Sequence, residues 1–90
     1  MTETLHRLRL RVCTPERELA DVEVREVTAP GALGEIGILP DHAALVTALE
    51  PGVLAYRQDS GVVRLAIGGG FAEVRDNVVT ILADSAEPAS

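Results

Sequence analysis

Leu8, Leu10 and Val12 alternate with Arg7, Arg9 and Arg11, and Pro or Gly interrupts every window where a helical apolar stripe would need three turns. Together these two features leave the chain little but β-structure. Alternation over six residues puts apolar side chains on one strand face and guanidinium groups on the other. The pattern breaks at Thr14-Pro15 and resumes with Val22 and Val24 set between Asp21, Glu23 and Arg25. Val27 falls one position out of phase, which predicts a bulge or a switch of buried face near Arg25 and Glu26. Pro30-Gly31 and Glu50-Pro51-Gly52 carry turn chemistry. Asp59-Ser60-Gly61 reads as a hairpin loop between strands at 53–58 and 62–67. Gly68-Gly69-Gly70 predicts a tight bend or a close backbone approach. Asp76-Asn77 suits a two-residue type I′ turn between 71–75 and 78–83. Only residues 43–50 leave room for a short helix. The expected architecture is all-β: eight or more short strands in a β-sandwich or flattened barrel. We place one domain at residues 1–84 and a flexible tail at 85–90, where periodicity ends.

Charge and composition narrow the function classes. The chain has 90 residues, 14 acidic against 8 basic side chains, and no Lys. A net charge of −6 argues against a nucleic-acid partner, because phosphate neutralisation needs a basic face. Tyr56 and Phe71 are the only aromatics, too few for a base-stacking platform. The absence of Lys excludes a P-loop, and Gly68-Gly69-Gly70 leads into a strand rather than a helix N-terminus. The lone Cys13 forms no intramolecular disulfide and reads as a small, partly buried hydrophobe. No apolar run approaches the ~20 residues of a spanning helix, and Met1 to Arg11 lacks a signal-like apolar core. Direct membrane insertion is therefore not expected.

Glu35, Asp41 and His42 are the one polar group that offers chemistry. They suit an acid, a base and an orienting group, or two or three metal ligands, although metal sites usually need more His or Cys than His42 with a distant His6. The plainer reading makes Glu35 and Asp41 solvated carboxylates and has His42 bond to backbone at a turn. Ser60, Ser85 and Ser90 lie in no nucleophile elbow. The Arg7, Arg9, Arg11 ladder is either a solvated face interleaved with acids of a neighbouring strand or a patch for an acidic partner. The residues by themselves point to a binding or structural domain with no cofactor and no catalytic group.

The stretch Gly34-Glu35-Ile36-Gly37-Ile38-Leu39-Pro40-Asp41-His42-Ala43-Ala44-Leu45-Val46-Thr47 closely resembles the epsilon subunit of the F-type proton-translocating ATP synthase. The pattern of that family is G-E-[LI]-G-I-[LY]-P-G-H-A-P-L-[LV]-T. The likeness continues at Leu49-Glu50-Pro51-Gly52, at Gly69-Gly70-Phe71-Ala72-Glu73-Val74 and from Asn77 to Asp84. Asp41 stands where the family has Gly, and Ala44 where it has Pro. An Asp tolerates the left-handed turn position that Gly prefers. The resemblance implies a ten-stranded β-sandwich without the C-terminal helical hairpin of the family. It further implies a non-catalytic subunit of the rotor's central stalk that links gamma to the membrane c-ring. The implied location is peripheral, at the cytoplasmic face of the bacterial inner membrane. On this view Glu35, Asp41 and His42 are candidate c-ring contacts, and Val22, Val24, Phe71 and Val74 are candidate gamma contacts. The alternatives are a free-standing β-sandwich adaptor and a small hydrolase or metal protein using Asp41, His42 and Glu35.

Overall fold

Alternation becomes a ladder of eight strands in a computed structural model, which describes residues 7–89. The strands are β1 (Leu8–Cys13), β2 (Glu18–Val24), β3 (Glu26–Gly31), β4 (Gly34–Ile38), β5 (Leu45–Gln58), β6 (Gly61–Arg75), β7 (Val78–Ala83) and β8 (Ala86–Pro88). No helix occurs among the described residues, and residues 43–50 belong to loop and strand. The pairing order is β2-β1-β7-β6-β5-β3-β4, with β8 beside β6. Only β1 and β7 run parallel.

The expected count of ten strands is corrected to eight, and the reason lies in β5 and β6. Both continue through their supposed turns, Pro51 pairing with Gly68 and Leu49 with Gly70. There the pair bends from one layer into the other. Layer one is β2, β1, β7, the second half of β6 and the first half of β5. Layer two is β4, β3, the second half of β5, the first half of β6, and β8. Two strands thus serve twice, so eight strands build two layers of five segments. The bend depends on glycine: Gly69 and Gly70 have φ of 107° and 137°. A Cβ on Gly70 would collide with the Leu82 carbonyl. Side chains rarely adopt that backbone, so strain and clash act together.

Leu8, Leu10, Val12, Val79, Ile81 and Val74 from layer one bury against Val27, Ile38, Leu54, Leu65 and Ile67 from layer two in one core. Each fully buried aliphatic side chain of this size stabilises by about 1.5–3 kcal/mol. The phase change before Val27 is a change of layer. β2 ends at Val24, Arg25 donates its N–H to the Arg57 carbonyl at 2.7 Å, and β3 starts opposite. Val24 and Val27 are both fully buried, one from each side.

The two short hairpin turns follow the sequence pattern. Asp76 and Asn77 have φ of 52° and 63°, both positive as a type I′ turn requires. Gln58 pairs with Gly61 across Asp59-Ser60. The expected tail is corrected for its described part. Ser85 accepts the Gly68 N–H at 3.0 Å, β8 pairs with β6, and Ala89 donates to the Arg64 carbonyl at 3.0 Å. Ser90, like Met1 to His6, lies outside the described residues.

Candidate functional site

The expected polar group around Glu35 is taken apart by strand β4. Glu35 is exposed near the start of β4, beside the Ala32-Leu33 turn that closes the β3–β4 hairpin. Asp41 and His42 follow the other end of that strand. Glu35 to Ile38 alone spans about 10 Å of extended chain. The hairpin tip lies at the corner end of the sandwich, where Ala32 donates its N–H to the Ala48 carbonyl at 3.0 Å. Asp41 and His42 lie at the far end, beside the Asp76-Asn77 turn. An acid, base and orienting group drawn from these three would need to converge, and they do not. No cluster of three potential ligands occurs among the described residues, and His6 lies outside them.

Asp41 and His42 instead shape the loop between β4 and β5. Asp41 has φ of 67°, the left-handed conformation expected where the pattern it resembles has glycine. Its N–H donates to Asn77 Oδ1 at 2.6 Å, and Asn77 Nδ2 donates back to Asp41 Oδ1 at 3.2 Å. This double bond pattern clasps the β4–β5 loop to the β6–β7 turn. Asn77 also presents its carbonyl to the Arg9 N–H at 2.8 Å. The His42 N–H donates to the Leu39 carbonyl at 3.1 Å, and its Nδ1 lies 2.7 Å from the Ala43 carbonyl. That contact assigns the proton to Nδ1. A backbone-bonded turn histidine results, as the plainer reading expected.

The candidate gamma contacts divide in the same way. Val24 and Val74 are buried in the core and offer nothing to a partner. Val22 is half-buried. Phe71 alone of the four is broadly exposed, at 58%. It has apolar neighbours that alternation alone did not single out. Register places Ala48, Phe71, Leu82 and Cys13 in one row across the outer face of layer one. Val46 and Leu82 are exposed by 71% and 55%. A shallow apolar groove of about 230 Å³ is lined by Val46, Phe71 and Leu82 with Ala72, Glu73 and Thr80. One sequence signal was available. Val78, Val79, Ile81 and Leu82 are apolar in both phases of β7, which marks a strand covered on both faces.

The other half of that face is charged and internally paired. Arg9 donates to Asp21 at 2.6 Å and Arg11 to Glu18 at 3.2 Å, so the Arg ladder meets acids of neighbouring β2. The Arg9 guanidinium holds the Asp21 carboxyl below the usual carboxylate range. Asp59, in the β5–β6 turn, is lowered by its hydrogen bond from Arg25 and then by that from Arg7. Those bonds tie the tip of layer two to the end of layer one. No span among the described residues is a helix long and apolar enough to cross a membrane.

These features have known counterparts. The family described as ATP synthase, Delta/Epsilon chain, beta-sandwich domain matches residues 7–89. The ATP synthase epsilon chain of Desulfitobacterium hafniense (strain DSM 10664 / DCB-2) is 52% identical over 79 residues, 88% of this chain and 60% of that protein. That of Carboxydothermus hydrogenoformans is 48% identical over 81 residues, 90% of this chain and 60% of that protein. The chain therefore spans about 60% of the length of these curated relatives. A chain in the Euglena gracilis mitochondrial ATP synthase structure, OSCP/F1/c-ring in rotational state 1, superposes with a TM-score of 0.87 at 30% identity. That likeness covers 97% of this chain and 56% of the other. A chain from the central stalk and c-ring of the Tetrahymena thermophila mitochondrial ATP synthase shares the fold, with a TM-score of 0.76 at 22% identity, over 90% of this chain and 66% of the other. By fold, motif order and coverage, the chain belongs to the ATP synthase delta/epsilon chain β-sandwich family.

Proposed function

We propose that this chain is a non-catalytic subunit of the central stalk of a proton-translocating ATP synthase, holding gamma to the c-ring. The observation that carries the reading is the separation of two unlike surfaces on one stiff body. An apolar face around Val46, Phe71 and Leu82 lies on the outer side of layer one. A hairpin tip with fully exposed Leu33 and the carboxylate of Glu35 projects from the corner end. A connector that passes torque needs separate attachments and little internal give. Eight strands in one continuous ladder around a close-packed core supply the second. We assign the apolar face to gamma, since desolvating an aromatic and two aliphatic side chains favours a lasting contact. We assign the Leu33–Glu35 tip to the polar loops of the c-ring, and leave Asp41 and His42 to loop shaping. Family membership supports the subunit reading, and the two surface assignments rest on exposure and chemistry. The chain would then sit peripherally at the cytoplasmic face of the bacterial inner membrane.

Tagged chain should co-purify with gamma and c-ring subunits from gently solubilised membranes. Recovery of the chain alone, from membranes whose synthase is otherwise intact, would favour the free-standing adaptor. Glu35→Arg should weaken ring attachment and proton-coupled ATP synthesis in reconstituted vesicles while the domain stays folded. Unchanged coupling would remove Glu35 from the contact.

A further inference from the structure

Among the described residues, one uncharged strand edge of layer one is unguarded. The Ala48 carbonyl accepts the Ala32 N–H, so the polar backbone groups of Ala48 face away from β6. Backbone polarity alternates along a strand, so the N–H and C=O of Val46 face the same open side. The Ala44 carbonyl and the Ala48 N–H do too. β3 reaches this side of β5 only at Gly31 opposite Leu49, and no described strand pairs with residues 44–48 there.

The remaining edges carry protection. β2 bears Glu18, Asp21 and Glu23, and Gln58 Nε2 approaches the Glu23 carbonyl at 3.5 Å. β4 is five residues long with Gly34, Glu35 and Gly37. β8 is three residues long and ends in Pro88. Between His42 and Glu50, by contrast, there is no charge and no Pro. Folded proteins rarely leave such an edge bare, because it templates pairing with another chain. Val46 also belongs to the apolar outer face, so edge and face form one continuous surface.

We infer that residues 44–48 of β5 are a strand-addition site, on which gamma lays an extended segment as a further strand of layer one. This rests on the assignment of the adjoining apolar face to gamma. The recognised segment is uncharged, free of Pro where it meets Val46, and apolar at alternate positions, so that its outward side chains extend the Val46, Phe71 and Leu82 surface. Main-chain bonds to the N–H and C=O of Val46 and to the N–H of Ala48, whose carbonyl already accepts from the Ala32 N–H and Thr47 Oγ1, set its register, as in other strand additions.

Amide hydrogen exchange of the chain, free and bound to gamma, tests this without mutation. The Val46 and Ala48 amides should exchange fast in the free chain and on the order of 100-fold more slowly in the complex. Val46→Pro removes the donor at an edge position where Pro is tolerated, and should weaken gamma binding about tenfold. If that variant fails to fold by circular dichroism, Val46→Lys, which keeps the N–H and guards the edge with a charge, should weaken binding comparably. A stable gamma complex with Val46 and Ala48 amides still fast overturns strand addition but leaves the apolar face as the contact. No gamma complex with the unaltered chain overturns the assignment beneath it. Protection that arises from self-association, and is lost when gamma binds, assigns the edge to a second copy and overturns the inference.

Discussion

The outer face of layer one has two halves built on the same ladder and facing the same way. On β1 and β2 the outward positions are Arg9, Arg11, Asp21 and Glu18, and each cation finds an acid across the strand pair. On β5, β6 and β7 the outward positions include Val46, Phe71 and Leu82, which stay exposed around a groove they share with Glu73 and Thr80. The charged half is complete in the isolated chain. Its edge is guarded and its ion pairs are exposed, so it contributes little to stability and invites no partner. The apolar half exposes surface that a lone soluble domain would gain by covering. On the proposed reading, the partner-facing surface is the one that the chain leaves uncovered.

The largest effect should come from the corner that puts Phe71 on the outside. Gly70→Ala forces a side chain into a left-handed backbone against the Leu82 carbonyl. It should cost at least about 3 kcal/mol, a large share of the stability of a small domain, read from a urea midpoint. Phe71→Asp should break the apolar half alone. Gamma affinity should fall on the order of 100-fold, while thermal unfolding of the free chain moves little. A Phe71→Asp chain that binds gamma normally would erase the proposed contrast between the halves.

Smaller effects belong to the polar contacts. Asp41→Gly and Asn77→Gly each keep a positive φ accessible; the first removes the arm accepted by Asp41 Oδ1, and the second removes both arms of the clasp. Asp41→Gly should cost about 1 kcal/mol and Asn77→Gly more, since it also takes the acceptor of the Asp41 N–H, and the double variant should cost less than the sum of the two. Denaturant melts of the four proteins measure this. Asp21→Asn should have the smallest effect, with gamma binding untouched. The folded-state pKa of Asp21 lies below its unfolded value. Its small contribution is therefore present above the usual carboxylate range and is lost as pH falls through the depressed folded value. Thermal melts from pH 6 down to pH 2, at low and high salt, would show it, with the low-salt series carrying the larger change.

Much of the fold was legible locally because its signals are local. The Arg and Leu alternation forms β1, the Asp76-Asn77 pair forms its type I′ turn, and Asp59-Ser60 closes the β5–β6 hairpin. The left-handed turn at Asp41 was readable only through the family resemblance, whose pattern has glycine there. The site was less legible. Val24 and Val74 read as outward candidates because alternation says that a strand has two faces, not which one is covered. Val46 and Leu82 were passed over for the same reason, and Glu35 seemed to neighbour Asp41 because six positions in sequence look short until they are extended as a strand.

By itself, the sequence determined that the chain is all-β, where most strands lie, and which short turns join them. Alternation and left-handed turn residues act over a few positions, where steric limits suffice. Only the tertiary structure decided that Pro51 and Gly68–Gly70 bend strands rather than end them, that Ala86–Pro88 docks on β6, and that Asp41 clasps Asn77. It also decided which half of layer one is left apolar and open. Each of these depends on groups far apart in sequence, whose meeting is set by how two layers close over one core.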